Sequence, residues 1–66
     1  MEQQQAPRQI KALRISAVVQ KTGISRSQLY RLIERGEFPQ GARMSERIVV
    51  WDEAIIDAWM AEKFGR

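Results

Sequence analysis

The chain has 66 residues, 44% of them apolar and 29% charged, with a formal net charge of +3 and neither cysteine nor histidine. That length forms one small domain with too little interior for an enclosed cofactor pocket. The missing residue types exclude disulfides, thiolate metal sites and imidazole acid–base chemistry, so no cofactor, no metal and no enzymatic activity are expected.

Two further readings come from the distribution of residues. No apolar run approaches the roughly 20 residues that cross a bilayer. The polar start MEQQQAPRQ has no apolar region of a secretory signal, so a cytoplasmic protein without membrane contact is expected. Charge is uneven. From Arg8 to Arg47 nine basic residues face three acidic ones, whereas from Ile48 onward two face four. A positive middle and a mildly acidic C-terminal part suit a chain that attracts a polyanion with the former and supports its fold with the latter.

Residues 1–9 carry three consecutive glutamines and Pro7 with almost nothing to bury, which predicts a flexible N-terminal tail ahead of one domain over 10–66. Leu13 and Ile15 alternate with Arg14, the pattern of a short extended segment that delivers two side chains to the core. Ser16 is placed to cap a brief helix through Lys21, with Ala17, Val18 and Val19 on its buried side. Thr22 and Gly23 interrupt that helix, and the glycine suits a left-handed C-terminal position.

The next helix is firmly marked. Ser25 and Gln28 stand three apart as in a capping box, and Ile24 before the cap is placed to pack on Leu29. The helix is predicted from Arg26 to Arg35, ending at Gly36. Leu29, Leu32 and Ile33 cluster on one face, and Ser27, Tyr30, Arg31 and Glu34 fall on the opposite one, with Arg26 at the boundary.

Pro39 and Gly41 mark a turn near the surface, where a substitution at Gly41 is expected to matter less than one at Gly23. Ala42–Met44 and Arg47–Trp51 read as two strands joined through Ser45 and Glu46, a connection without the usual Asn-Gly chemistry. Ile48 and Val50 on one side and Val49 on the other leave the burial of the second strand open. Asp52 is a cap for a final helix, with Trp51 packing on Ile56. Ile55, Ile56, Trp59 and Met60 form an apolar stripe read as core, and Glu53, Asp57 and Lys63 fall on exposed positions.

A short helix, a glycine-containing corner, a second helix with a polar face and then a hairpin make a mainly α fold with a small β-hairpin, the order of a winged helix-turn-helix. The second helix is about the length that lies in a DNA major groove. Its candidate contacts are Ser25, Arg26, Ser27, Tyr30 and Arg31. Arg26 is a donor for guanine or for phosphate, Ser27 donates or accepts, and Arg31 suits either kind of contact. Tyr30 suits a thymine methyl or a phosphate, with packing beside Leu13 or Ile33 as the equal alternative. In the wing, Arg43 and Arg47 are candidates for phosphates or the minor groove, with a surface ion pair from Arg47 to Glu46 or Glu37 as the alternative.

The run TGISRSQLYRLIERGEFP, followed by RMSERIVVW and DEAIIDAWM, resembles the AlpA family of small prophage transcriptional regulators, within the MerR-like winged-helix group that includes phage excisionases. The resemblance covers about Leu13 to Glu62, through Thr22-Gly23, Ser25-Arg26-Ser27, Tyr30-Arg31, Gly36, Phe38-Pro39, Ser45-Glu46-Arg47, Trp51 and Trp59. It implies a sequence-specific binder of double-stranded DNA in which Ser25 to Arg31 enter the major groove and Arg43 and Arg47 belong to the wing. Gln40-Gly41 stands where the family often has a second proline, and Ala54 where it often has an acidic residue.

The implied function is transcriptional regulation, with an excisionase-like factor that bends DNA for an integrase as the alternative. A protein-interaction module is the alternative from another class. Further candidate partners are a second copy of the chain on adjacent or inverted sites, a phage integrase and RNA polymerase.

Overall fold

Residues 9–65 are described by a computed structural model, which orders them as β1 (Ala12–Leu13), α1 (Ile15–Thr22), α2 (Arg26–Glu34), β2 (Ala42–Arg43), β3 (Val49–Asp52) and α3 (Glu53–Lys63). The expected tail lies outside the described residues apart from Gln9, which is exposed. Among the described residues no helix is long and apolar enough to cross a membrane.

The first helix begins earlier than a Ser16 cap would allow. Arg14 is its N-cap, with extended dihedrals (φ −80°, ψ 169°) and no side-chain capping bond. Its carbonyl accepts the N–H groups of Ala17 (3.0 Å) and Val18 (3.1 Å). Ser16 therefore lies inside the first turn, and Ile15 opens the helix rather than extending the strand. The cause is β1: Leu13 is held extended by pairing, and the chain turns helical as soon as that pairing ends.

The corner between the first two helices is bonded throughout. Gly23 is left-handed (φ 74°) and donates its N–H to the Val19 carbonyl at 2.8 Å, which closes the last turn of α1. The Thr22 hydroxyl donates to the Val18 carbonyl at 2.8 Å and accepts the Ile24 N–H at 3.2 Å. Ser25 then caps α2 by accepting the Gln28 N–H at 3.3 Å. At the other end of α2 the Gly36 N–H reaches the Ile33 carbonyl (3.0 Å) and the Glu37 N–H the Leu32 carbonyl (2.8 Å), a Schellman stop that needs the positive φ of Gly36 (75°).

Three strands form one antiparallel sheet in the order β1-β3-β2, with Leu13 opposite Trp51 and Ala42 opposite Val50. The pairing of β1 with β3 was not expected from the sequence and ties the N-terminal strand to the wing. It is extended by the Glu53 N–H, which donates to the Lys11 carbonyl at 2.9 Å. Burial of the second wing strand is settled: Val49 packs against the core and Trp51 is buried in it, while Ile48 lies on the outer side.

The core draws one buried residue from each helix, from β1 and β3, and from the α2–β2 connection: Leu13, Val18, Leu29, Phe38, Trp51 and Ile56. Val18, Leu29 and Ile56 are completely enclosed, each contributing about 1.5–3 kcal/mol of apolar transfer free energy. Trp59 and Met60 pack on this cluster as expected, but Ile55 does not and stays half exposed. Phe38, just before the turn that Pro39 and Gly41 mark, is buried and meets the Trp59 ring edge-on at 4.7 Å between centroids.

Candidate nucleic-acid interface

The polar face of α2 is turned to solvent. Leu29 is buried and Leu32 and Ile33 are half-buried, which turns the opposite side outward. Ser25, Arg26, Ser27, Tyr30 and Arg31 are all exposed. Tyr30 is 48% exposed and lies outside the set of residues packed on the core, which disfavours its reading as a packing residue. Among the described residues Arg26, Arg31 and Arg35 make no ion pair, so their guanidinium groups keep all their donors for a partner.

The wing differs from the expected two-residue hairpin. Its connection runs from Met44 to Ile48, and its centre is a four-residue turn in which the Ile48 N–H donates to the Ser45 carbonyl at 3.3 Å. Glu46 and Arg47, rather than Ser45 and Glu46, occupy the central positions. Among the described residues only glycines have positive φ, and the primed two-residue turns demand positive φ. A chain that offers Ser, Glu and Arg here therefore takes the longer loop.

The Met44 and Ser45 N–H groups both donate to the Ile48 carbonyl (2.7 and 3.3 Å), and Arg43 Nη1 donates to the Glu46 carbonyl at 2.9 Å. Arg43 thus braces the turn as well as exposing charge. Arg47 is exposed, and among the described residues it pairs with neither Glu46 nor Glu37.

The segment between helix and wing is held by both tryptophans. Trp59 Nε1 donates to the Glu37 carbonyl and Trp51 Nε1 to the Pro39 carbonyl, each at 2.9 Å, with buried Phe38 between the two acceptors. Gly41 follows in a confined place: a Cβ there would stand 2.6 Å from Val49 Cγ1 and 2.9 Å from Trp51 Cε2. The position is therefore not the open surface turn that the sequence suggested. These constraints went unread because their partners are distant in the chain; the two indole N–H groups, each in need of an acceptor, were the available signal.

One basic residue of the middle segment faces another way. Lys21 Nζ lies 2.9 Å from Asp57 Oδ1 and 3.0 Å from Glu53 Oε2, joining α1 to α3, and Glu53 is half-buried rather than exposed. Hydrogen bonding to Asp57, and next to Glu53, raises the Lys21 pKa above its ordinary value. Lys21 belongs to the scaffold.

Comparison with known proteins places these features in a lineage. The phage P4 protein named "Uncharacterized protein ORF88" is 41% identical over 49 residues, covering 74% of this chain and 56% of its own length. The protein named "DNA-binding transcriptional activator AlpA", from Escherichia coli strain K12, is 32% identical over 60 residues, covering 82% of this chain and 86% of its own. The chain thus spans little more than half of the phage relative and most of the bacterial one. No solved structure matches it significantly. The family model described as prophage CP4-57 regulatory protein (AlpA) matches residues 2–64, nearly the whole chain, which therefore belongs to the AlpA family.

Proposed function

We propose that this chain is a regulator that binds double-stranded DNA in a sequence-specific way, with α2 in the major groove and the wing on the flanking backbone. The observation that carries this reading is the exposed α2 face, on which Arg26, Ser27, Tyr30 and Arg31 project from a helix braced by Leu29, its arginines making no ion pair among the described residues. The name of the K12 relative, a DNA-binding transcriptional activator, supports it.

The physical division of labour follows from position. The N-cap and first turn of α2 carry Ser25, Arg26 and Ser27, where backbone N–H groups have no intrahelical acceptor and suit phosphate or base-edge acceptors. Tyr30 and Arg31, one turn on, read bases or anchor the strand. Arg43 and Arg47 in the wing neutralise phosphates and so add affinity without sequence information.

The test is a competition assay on a duplex selected from a random pool by the wild-type protein, set against single-base variants of that duplex. Arg31→Ala is expected to reduce discrimination by about 1–3 kcal/mol. Arg47→Ala is expected to weaken all duplexes alike and to lower the salt slope by about one unit. Arg47 is a cleaner probe than Arg43, whose loss would also release the Glu46 carbonyl and reshape the turn. Lys63→Ala, at the end of α3 where Nζ sits 5.3 Å over the Trp59 ring, is the basic control and should do neither. A protein that selects no duplex, or binds with no dependence on salt, would overturn the proposal.

A further inference from the structure

Among the described residues only six apolar side chains are buried, yet the wing spends two large apolar residues on solvent. Met44 is 61% exposed and Ile48 36%, and they face each other across the neck of the turn, where the Met44 N–H donates to the Ile48 carbonyl. The neck and tip are braced within the loop by the Ser45 and Ile48 N–H groups and by Arg43 Nη1. Neither residue of β2 is buried, so nothing in the described fold covers this edge. Arg43 and Arg47 flank the apolar pair, and with Glu46 they leave the turn one net positive charge.

We propose that the wing is a DNA-bending wedge in which Met44 enters a base step from the minor groove while Arg43 and Arg47 hold the phosphates on either side. The inference rests on the DNA-binding reading above and gives the wing a task beyond phosphate neutralisation. The chemistry fits. Methionine is apolar and polarisable, one of the side chain types that wedge between partly unstacked bases, and its thioether packs well on aromatic faces. Ile48, branched and less exposed, supports the base of the wedge. The flanking guanidinium groups set the chemical class of the partner: an apolar pair at the neck bordered by cations suits a stack of bases bordered by phosphates. A hydrogen-bonded turn presents such a side chain without the entropy cost of ordering the backbone on contact.

The experiment compares wild type, Met44→Ala and Met44→Leu on the pool-selected duplex, labelled at both ends with a donor and an acceptor dye. Affinity is followed by anisotropy and end-to-end distance by energy transfer, at protein concentrations that saturate each variant, with circular dichroism to show that all three are folded. Wild type is expected to shorten the end-to-end distance as a kink of about 20–90° would, since wedge residues kink duplexes by that amount. Met44→Ala should bind within about threefold of wild type, because the phosphate contacts remain, yet leave the duplex straight. Met44→Leu should bend it.

Equal bending by wild type and Met44→Ala, or a straight duplex under saturating wild type, would overturn the wedge while leaving DNA binding intact. Failure of wild type to select any duplex would overturn both readings, and it is recognised by the anisotropy alone. Transfer of the wild-type protein to anionic lipid vesicles in preference to the duplex, abolished in Met44→Ala, would overturn the choice of DNA as the occupant.

Discussion

Gly23 and Gly41 are glycines for unrelated reasons, and a pair of substitutions separates them. At Gly23 the backbone is left-handed and a Cβ would meet nothing within 4 Å, so the demand is purely conformational. Asparagine tolerates that region, and Gly23→Asn is expected to cost less than about 1 kcal/mol. At Gly41 φ lies outside the left-handed region and the demand is for space, since Val49, Trp51 and the Val50 carbonyl crowd the position. Gly41→Ala is therefore expected to cost about 1–3 kcal/mol through overpacking. Thermal melts followed by circular dichroism give the order: a Gly41→Ala midpoint equal to or above that of Gly23→Asn would show that the sheet yields at no cost. The two glycines also differ in how readable they are. Gly23 follows a helix and precedes a cap, both local signals, whereas the closure around Gly41 is made by residues eight to ten positions further on.

Between elements, the contact of α1 with α3 is electrostatic at its rim. Lys21 bridges Asp57 and Glu53, and these partners raise its pKa, so the folded protein holds the lysine proton more tightly than the unfolded chain does. The sign follows. The contribution is fully present below the unfolded lysine pKa, about 10.4, and is lost as pH rises through the higher folded value. Urea midpoints of wild type and Lys21→Met should differ by a constant amount near neutrality, with wild type more stable, and converge only in the strongly alkaline range. High salt should narrow the gap at neutral pH. Convergence already at mildly alkaline pH would show that the bridge is not formed in solution.

The same scale shows what the sequence makes legible. Helix α2, with its Ser25 cap, its glycine stop and its two faces, is readable because periodicity and capping are local, and so is the Asp52 cap, whose side chain accepts the Ala54 N–H at 3.0 Å. The β1–β3 pairing is not, since two short residues at 12–13 carry no pattern that names partners at 51–52. The start of α1 was misread for the same reason: its position is set by that pairing and not by the serine beside it. In the wing the existence of a hairpin was readable from alternating residues, but its turn depended on dihedral options that the local residues exclude.

Across the whole molecule, the exposed α2 face was legible and its chemistry remains the proposal stated above. Among the described residues its arginines make no ion pair while Lys21 is consumed internally, so charge counted along the sequence overstates the cations available to a polyanion. The logarithm of affinity for the pool-selected duplex should therefore fall linearly with the logarithm of salt, with a slope of about −0.9 for each phosphate neutralised. Lys21→Met should leave that slope unchanged, whereas Arg47→Ala lowers it. An equal fall in both variants would place Lys21 on the DNA and break the distinction between scaffold and surface.

The indole bonds to Glu37 and Pro39 carry a consequence for the grammar of the operator. A connection fastened at two carbonyls, with a phenylalanine sunk between them, cannot act as a spring, so helix and wing form a ruler of one length. On the function proposed above, the bases read by α2 and the flank met by the wing must then lie at one separation along the duplex. One base pair inserted between them rotates the flank by about a tenth of a helical turn and carries it 3.4 Å away, which should reduce binding to that of a protein lacking its wing. Such a ruler would leave the bases between the two contacts free to vary in sequence but not in number.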